Sequence, residues 1–143
     1  MTTPRRFVKA ALALALAVIP TVAVPATVTP AAAAVIQPPL PVEALPPQVE
    51  QACRIWERLD WPVSPTPVDY RIPGPDFIRG SNPYGNRSKD LPAGGDYHEY
   101  DVNPRPTPTT HRDAERLVRD RHTAQVWYSA DHYANFREIS EGC

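Results

Sequence analysis

The chain has 143 residues, of which 19 are proline and two are cysteine, with 15 Lys+Arg against 16 Asp+Glu. That length bounds it to one modest domain once any leader is set aside. A net charge of −1 excludes a protein that holds nucleic acid through its overall field, so affinity for a polyanion would have to come from clustered arginines.

Residues 1–34 read as a secretory signal peptide. Arg5, Arg6 and Lys9 form a positive start, an apolar stretch from Ala10 to Val24 is broken by Pro20, and Ala32-Ala33-Ala34 offers an A-x-A cleavage site. The apolar run is too short and too interrupted for a membrane-spanning helix. Cleavage after Ala34 removes three basic residues and no acidic one, leaving Val35 to Cys143 with 12 Lys+Arg against 16 Asp+Glu, a net charge of −4. Cys53 and Cys143 both lie in the exported part, and an oxidising compartment should join them as one disulfide. Closing so long a loop contributes on the order of 4–5 kcal/mol by chain entropy.

Residues 35–44, with Pro38, Pro39 and Pro41, read as an extended leader into a domain spanning 45–143. Pro46-Pro47 suits the first turn of a helix. Val49, Ala52, Cys53 and Trp56 then fall at i, i+3, i+4 and i+7, Leu59 extends the stripe, and Trp61-Pro62 ends it. Ten prolines between residues 60 and 110 forbid a long helix there and predict loops and short strands. Turns are expected at Asn82–Asn86 and Pro92–Gly95. Tyr97 to Val102 is rich in β-formers, with Tyr97, Glu99 and Asp101 on one face and His98, Tyr100 and Val102 on the other.

His111 to Arg121 fits two readings, a solvated helix by its charge pattern or a strand starting near Arg116. Strands are predicted over Ala124–Ser129 and Ala134–Ile139, with a turn at Asp131–Tyr133 between them. One early helix followed by short antiparallel strands makes an α+β fold. Trp56, Trp127 and Phe136 are most simply core, and His98, His111 and His122 surface residues.

The residues that carry chemistry are Glu99, Arg112, Arg116 and His132. RNA holds its own nucleophile, because a deprotonated 2′-hydroxyl attacks the adjacent phosphorus and expels the 5′-oxygen. An enzyme needs only a base, an acid on the opposite side, and charge stabilisation between them. Glu99 can serve as base, and an imidazole such as His132 carries a proton near neutrality and can serve as acid. The forked guanidinium groups of Arg112 and Arg116 suit the non-bridging oxygens where charge builds up. This chemistry needs no metal and no cofactor. Singly, each residue reads more simply as solvated surface. As a set they are suggestive.

Tyr97-His98-Glu99-Tyr100, Arg112-x-x-x-Arg116-Leu117-Val118, Asp131-His132-Tyr133-Ala134-x-Phe136 and the terminal Cys143 resemble the small microbial guanyl-specific ribonucleases. The likeness is to their secreted bacterial branch, related to barnase. Leu45-Pro46-Pro47-Gln48 is similar to that family's entry into its helix, and Asn86-Arg87-x-x-x-Leu91-Pro92 to its base-recognition segment. The resemblance implies a helix packed on a twisted antiparallel sheet, with Glu99 as base, His132 as acid, and Arg87, Arg112 and Arg116 at the phosphate. It puts Tyr84, Gly85, Asn86 and Tyr133 at the nucleobase. It also implies a monomer acting on single-stranded RNA, and a cytoplasmic inhibitor protein guarding the producer.

The chain departs from the family at Ser88, where a glutamate usually accepts hydrogen bonds from guanine. A hydroxyl cannot match a bidentate carboxylate, so guanine preference should be weakened. Asp90 would share the face of Ser88 if both lay on a strand. The same departure leaves an alternative open, a secreted RNA-binding protein on this fold with little turnover. Cys53 also lies within the predicted helix, whereas the family's partner cysteine comes earlier.

Overall fold

A computed structural model describes residues 35–143; the proposed signal peptide lies outside them. The elements are β1 (Val35–Leu40), a single 3-10 turn (Val42–Ala44), α1 (Pro47–Arg58), β2 (Val68–Arg71), β3 (Phe77–Pro83), β4 (Tyr97–Asp101), β5 (Arg116–Asp120), β6 (Val126–Ser129) and β7 (Asn135–Ile139). The seven strands form one sheet in the order β1-β7-β6-β5-β4-β3-β2. All neighbours are antiparallel except β1 and β7.

The helix begins at Pro47, whose missing N–H costs nothing in a first turn, and buries Val49, Ala52, Cys53, Ile55 and Trp56. It stops where Asp60 and Trp61 both take left-handed φ, 59° and 40°. Its apolar face joins Ile78, Tyr100, Leu117, Val126, Tyr128 and Ile139 in the main core. Trp56 is fully buried, meets Tyr100 edge-on and donates its indole N–H to the Asp101 carbonyl at 2.8 Å. Cys53 is bonded to Cys143, tying the helix to the C-terminus. On the opposite face, Leu91, Tyr97, Val118, Trp127 and Phe136 form a smaller core. The site is built on this second face.

Two expectations are corrected, and one open reading is resolved. The stretch 35–44 is not a leader ahead of the domain, because Val35–Leu40 adds parallel to β7 as an edge strand. Prolines are tolerated there since an edge strand need not donate on its outer side; the register slips across Pro38-Pro39, and Arg137 clasps the Pro38 carbonyl and the Gln37 side chain. His111–Arg121 resolves as loop and strand, because Arg116 is drawn into the buried face opposite Asp101. His98 is buried, its ring donating to the Ser81 carbonyl at 2.7 Å with Asp96 at its other nitrogen.

A bulge at Ser81 (φ 77°) places one extra residue of β3 against β4, between the pairs Gly80–Tyr100 and Pro83–His98. Gly80 sits so close to β4 that a Cβ would come within 2.9 Å of the Tyr100 backbone. The bulge bends the end of β3 and delivers Tyr84 to Ser88 beside Glu99.

Candidate active site

Alternation along β4 puts Glu99 and Asp101 on the face away from α1, and antiparallel pairing sets Arg116 opposite Asp101 and Val118 opposite Glu99. Asp101 is almost wholly buried. Nε of Arg112 donates to its two oxygens at 2.9 and 3.1 Å, and Nη2 of Arg112 also bonds Oδ1. Nε of Arg116 stands 3.4 Å from Oδ1, and Nε of Arg105 4.0 Å from Oδ2. Burial pushes the Asp101 carboxyl up, and the Arg112 hydrogen bonds with the charges of Arg112, Arg116 and Arg105 oppose that rise. For Arg112, the pull of burial toward the neutral form is outweighed by Asp101, which raises it. Arg112 is thus held by direct hydrogen bonds to Asp101, while Arg116 stands beside the same carboxylate without bonding it through Nε.

Asp69 repeats the arrangement one strand pair away. It accepts Nε and Nη2 of Arg79 at 3.0 and 2.6 Å and Nη2 of Arg105 at 2.6 Å. Arg105 further ties down its own loop by donating to the carbonyls of Pro108 and Thr110.

His132 and Tyr133 occupy a turn in which both have left-handed φ, 55° and 73°. Such a pair is costly for residues with side chains and must be held by its surroundings. The Asp131 carboxylate accepts the Ser129 hydroxyl, the Asn135 backbone N–H and the Asn135 side-chain amide, while the Tyr133 N–H donates to the Ser129 hydroxyl. Burial alone would raise the Asp131 carboxyl, but the hydrogen bonds from Asn135 and Ser129 hold it below its usual value. The His132 N–H donates to the Ala114 carbonyl at 3.0 Å, docking the turn on the loop that carries Arg112. The two rings of the turn lie 4.8 Å apart, and the Tyr133 hydroxyl donates to Oε2 of Glu99 at 2.5 Å. Burial and this carboxylate raise the Tyr133 phenol, keeping it a donor.

Two concavities, each of about 560 Å³, result. One is lined by Pro83, Tyr84, Gly85, Asn86, Arg87, Ser88, Glu99 and Tyr133. The other is lined by His132, Arg112 and Arg116 together with Arg79, Arg105 and the loop 108–114. The first therefore holds Glu99 with all the residues expected around a nucleobase, and the second holds His132 with the two arginines. The 3.7 Å approach of Arg112 Nη2 to Glu99 Oε1, and the Tyr133 hydroxyl, link them. Each is the size of a site for a small organic ligand rather than a lone ion.

Several placements differ from the sequence reading. The Asn86 side chain is used internally, its amide donating to the Leu91 carbonyl and its oxygen accepting the Leu91 N–H, so it shapes the cavity instead of reaching into it. Tyr84 packs against Tyr133 at 4.9 Å and belongs to the second core as much as to the cavity wall. Ser88 lies in a turn, so Asp90 does not share a strand face with it; one Asp90 carboxylate oxygen is buried without a partner. Asp101 was legible on the face of Glu99 but not as the anchor of the arginines. Nothing in local sequence pointed to Asp69, Arg79 and Arg105, which meet only through the β2–β3 hairpin and the bridge between Phe77 and Arg105.

The family model described as ribonuclease matches residues 29–140. Guanyl-specific ribonuclease Sa3 of Kitasatospora aureofaciens is 40% identical over 62 residues, 42% of this chain and 43% of that protein, so the chain spans less than half the length of this curated relative. Crystal structures of ribonuclease Sa2 with guanosine-2′-cyclophosphate and with 3′-GMP each align with 76% of this chain and 99% of theirs, at 26% identity and a TM-score of 0.47. On the breadth of the family match, this chain belongs to the ribonuclease family.

Proposed function

We propose that the protein is a secreted, monomeric endoribonuclease that cleaves single-stranded RNA by transphosphorylation, without a metal. Glu99 takes the proton of the 2′-hydroxyl, the freed oxygen attacks phosphorus, and His132 gives a proton to the departing 5′-oxygen. A 2′,3′-cyclic phosphate remains. In its slower hydrolysis the roles reverse, His132 activating water and Glu99 protonating the 2′-oxygen. Arg112 and Arg116 face the non-bridging oxygens, where preorganised donors act most strongly as charge develops. Tyr133 steadies Glu99 through Oε2. Arg87, expected at the phosphate, lines the Glu99 cavity and not the one with Arg112 and Arg116, so it adds a cation on the nucleobase side. Tyr84, Gly85 and Tyr133 wall the nucleobase cavity, with Asn86 shaping it.

The observation that carries this reading is the Arg112 guanidinium, which reaches toward Glu99 on one side and lines one cavity with His132 on the other. The guanyl-specific relative supports a purine or guanine preference, weakened here because the cavity offers the Ser88 hydroxyl where a carboxylate acceptor would be needed. The leader over residues 1–34 would place this activity outside the cell, and a cytoplasmic inhibitor protein would guard the producer against chain that fails to leave. The test is incubation of the mature protein with RNA in EDTA, where RNA cut to 2′,3′-cyclic ends is expected. RNA bound but left intact would replace this reading with that of a binding protein.

A further inference from the structure

We infer that Glu115 is a positioning residue for the phosphate-gripping arginines and the proposed acid, an inference that rests on the ribonuclease reading above. Glu115 immediately precedes β5, next to Arg116, and neighbouring residues of an extended chain point to opposite faces. Arg116 goes to the site and Glu115 to the side of α1. There its carboxylate gathers donors from three separate parts of the fold. The Tyr128 hydroxyl of β6 bonds Oε1, Gln48 Nε2 of α1 lies 3.2 and 3.5 Å from the two oxygens, and Asn103 Nδ2 of the loop after β4 donates to Oε2 at 2.6 Å.

The segment anchored this way makes the contacts that assemble the site. The Glu115 carbonyl accepts Nη1 of Arg116 at 2.7 Å, and the neighbouring Ala114 carbonyl accepts the His132 N–H at 3.0 Å. Asp113, one residue further back, accepts Asn103 and the Glu115 N–H, closing the loop that begins with Arg112. A single carboxylate on the far side of the sheet thus sets the backbone from which Arg112 and Arg116 extend and on which the turn of His132 is docked. Burial and the Glu115 carboxylate raise the Tyr128 phenol, so this donor stays protonated throughout the neutral range. Charge-assisted hydrogen bonds of this kind hold geometry better than neutral ones.

The residue touches neither cavity, so its removal should act on catalysis through placement alone. Displacing reacting groups by about 1 Å costs on the order of 100-fold in rate. Because charge on the non-bridging oxygens grows toward the transition state, the loss should fall on kcat more than on KM.

The experiment measures kcat and KM on a dinucleotide for the oxidised mature protein and for Glu115→Gln, Glu115→Ala, Tyr128→Phe and the Glu115→Ala/Tyr128→Phe pair, with folding of each checked by thermal melting. Per folded molecule, kcat is expected to fall on the order of 10–100-fold in Glu115→Ala. KM should move less than about threefold, because ground-state contacts persist. Glu115→Gln, which keeps one acceptor oxygen, should recover part of the loss, and the double variant should be little worse than Glu115→Ala, since both substitutions break one network. A kcat like wild type in Glu115→Ala, or a loss confined to KM, would overturn the assignment. If Glu115→Ala does not fold, Glu115→Gln decides: unchanged kcat overturns the inference and a reduced kcat at constant KM supports it. An inactive wild-type protein would instead refute the ribonuclease reading.

Discussion

Asp101, and not Glu99, holds Arg112. Its oxygens accept Nε at 2.9 and 3.1 Å, while Oε1 of Glu99 stands 3.7 Å from Nη2. The guanidinium is thereby fixed by a buried carboxylate that also faces Arg116 and Arg105, and Glu99 is not needed to hold it. A clamp built this way depends on the fork of arginine, not on its charge alone.

Arg112→Lys should therefore lose much of the rate while keeping the charge. A lysine ammonium cannot meet both Asp101 oxygens and still present a donor to phosphate, and loss of one preorganised donor costs on the order of 10²-fold in kcat. Steady-state kinetics on a dinucleotide measures this, and near-wild-type kcat would mean that charge alone suffices.

Glu99→Gln and His132→Ala should each lower the rate on the order of 10²–10⁴-fold, the usual worth of a general acid or base. Chromatography of the 2′,3′-cyclic product gives the number. Undiminished product from both variants would remove the proposed acid–base pair.

Base choice is expected to turn on Ser88. Ser88→Glu introduces a bidentate acceptor into the cavity and should raise the preference for guanine over adenine at least about tenfold, since unpaired donors are costly on desolvation. Competition between dinucleotides differing in the 5′ base reads the ratio. The same assay on Asp90→Ala tells whether the unpartnered Asp90 carboxylate contributes to selection; an unchanged ratio means that it does not.

Stability should fall in acid, partly through Asp69. The Arg79 hydrogen bond holds its carboxyl below the usual range against the opposing effect of burial, with the charges of Arg79 and Arg105 adding to it. A depressed folded value means that the contribution is complete above the unfolded value of roughly 4 and disappears as pH falls through the folded one. Asp69→Asn should thus cost about 3 kcal/mol at pH 7 by leaving two arginines unanswered. That gap should narrow below about pH 4. Urea unfolding across pH follows both proteins, and a gap that does not vary with pH would trace the loss to something other than the carboxylate.

Much of this architecture could be read in advance because the elements obey simple periods. The stripe Val49, Ala52, Cys53, Trp56 is the buried face of α1, and the alternation along β4 sends Glu99 and Tyr100 to opposite sides as expected. The Asp131–Tyr133 turn was legible from its residues, although not the left-handed backbone of both His132 and Tyr133. What escaped was decided by contacts between distant segments. The charges of Arg112, Glu115, Arg116 and Arg119 would suit a solvated helix, and only the buried Asp101 explains why Arg116 enters a strand. The proline-studded start pairs because β7 leaves an edge for it. The residues singled out in the sequence line the two cavities, yet the support behind them was hidden: Asp69, Arg79 and Arg105 come from strands and loops that a proline-rich stretch conceals.

The parallel ladder of β1 on β7 joins Val35 to Asn135, and the bond from Cys53 runs to Cys143, 90 positions on. A chain made only as far as β6 has neither the partner strand of β1 nor the partner thiol of Cys53. Val35–Leu40 must then wait, unpaired, for Asn135–Ile139. A sheet closed by partners so far apart in sequence folds through long-range contacts, which form slowly because the intervening chain must first be ordered.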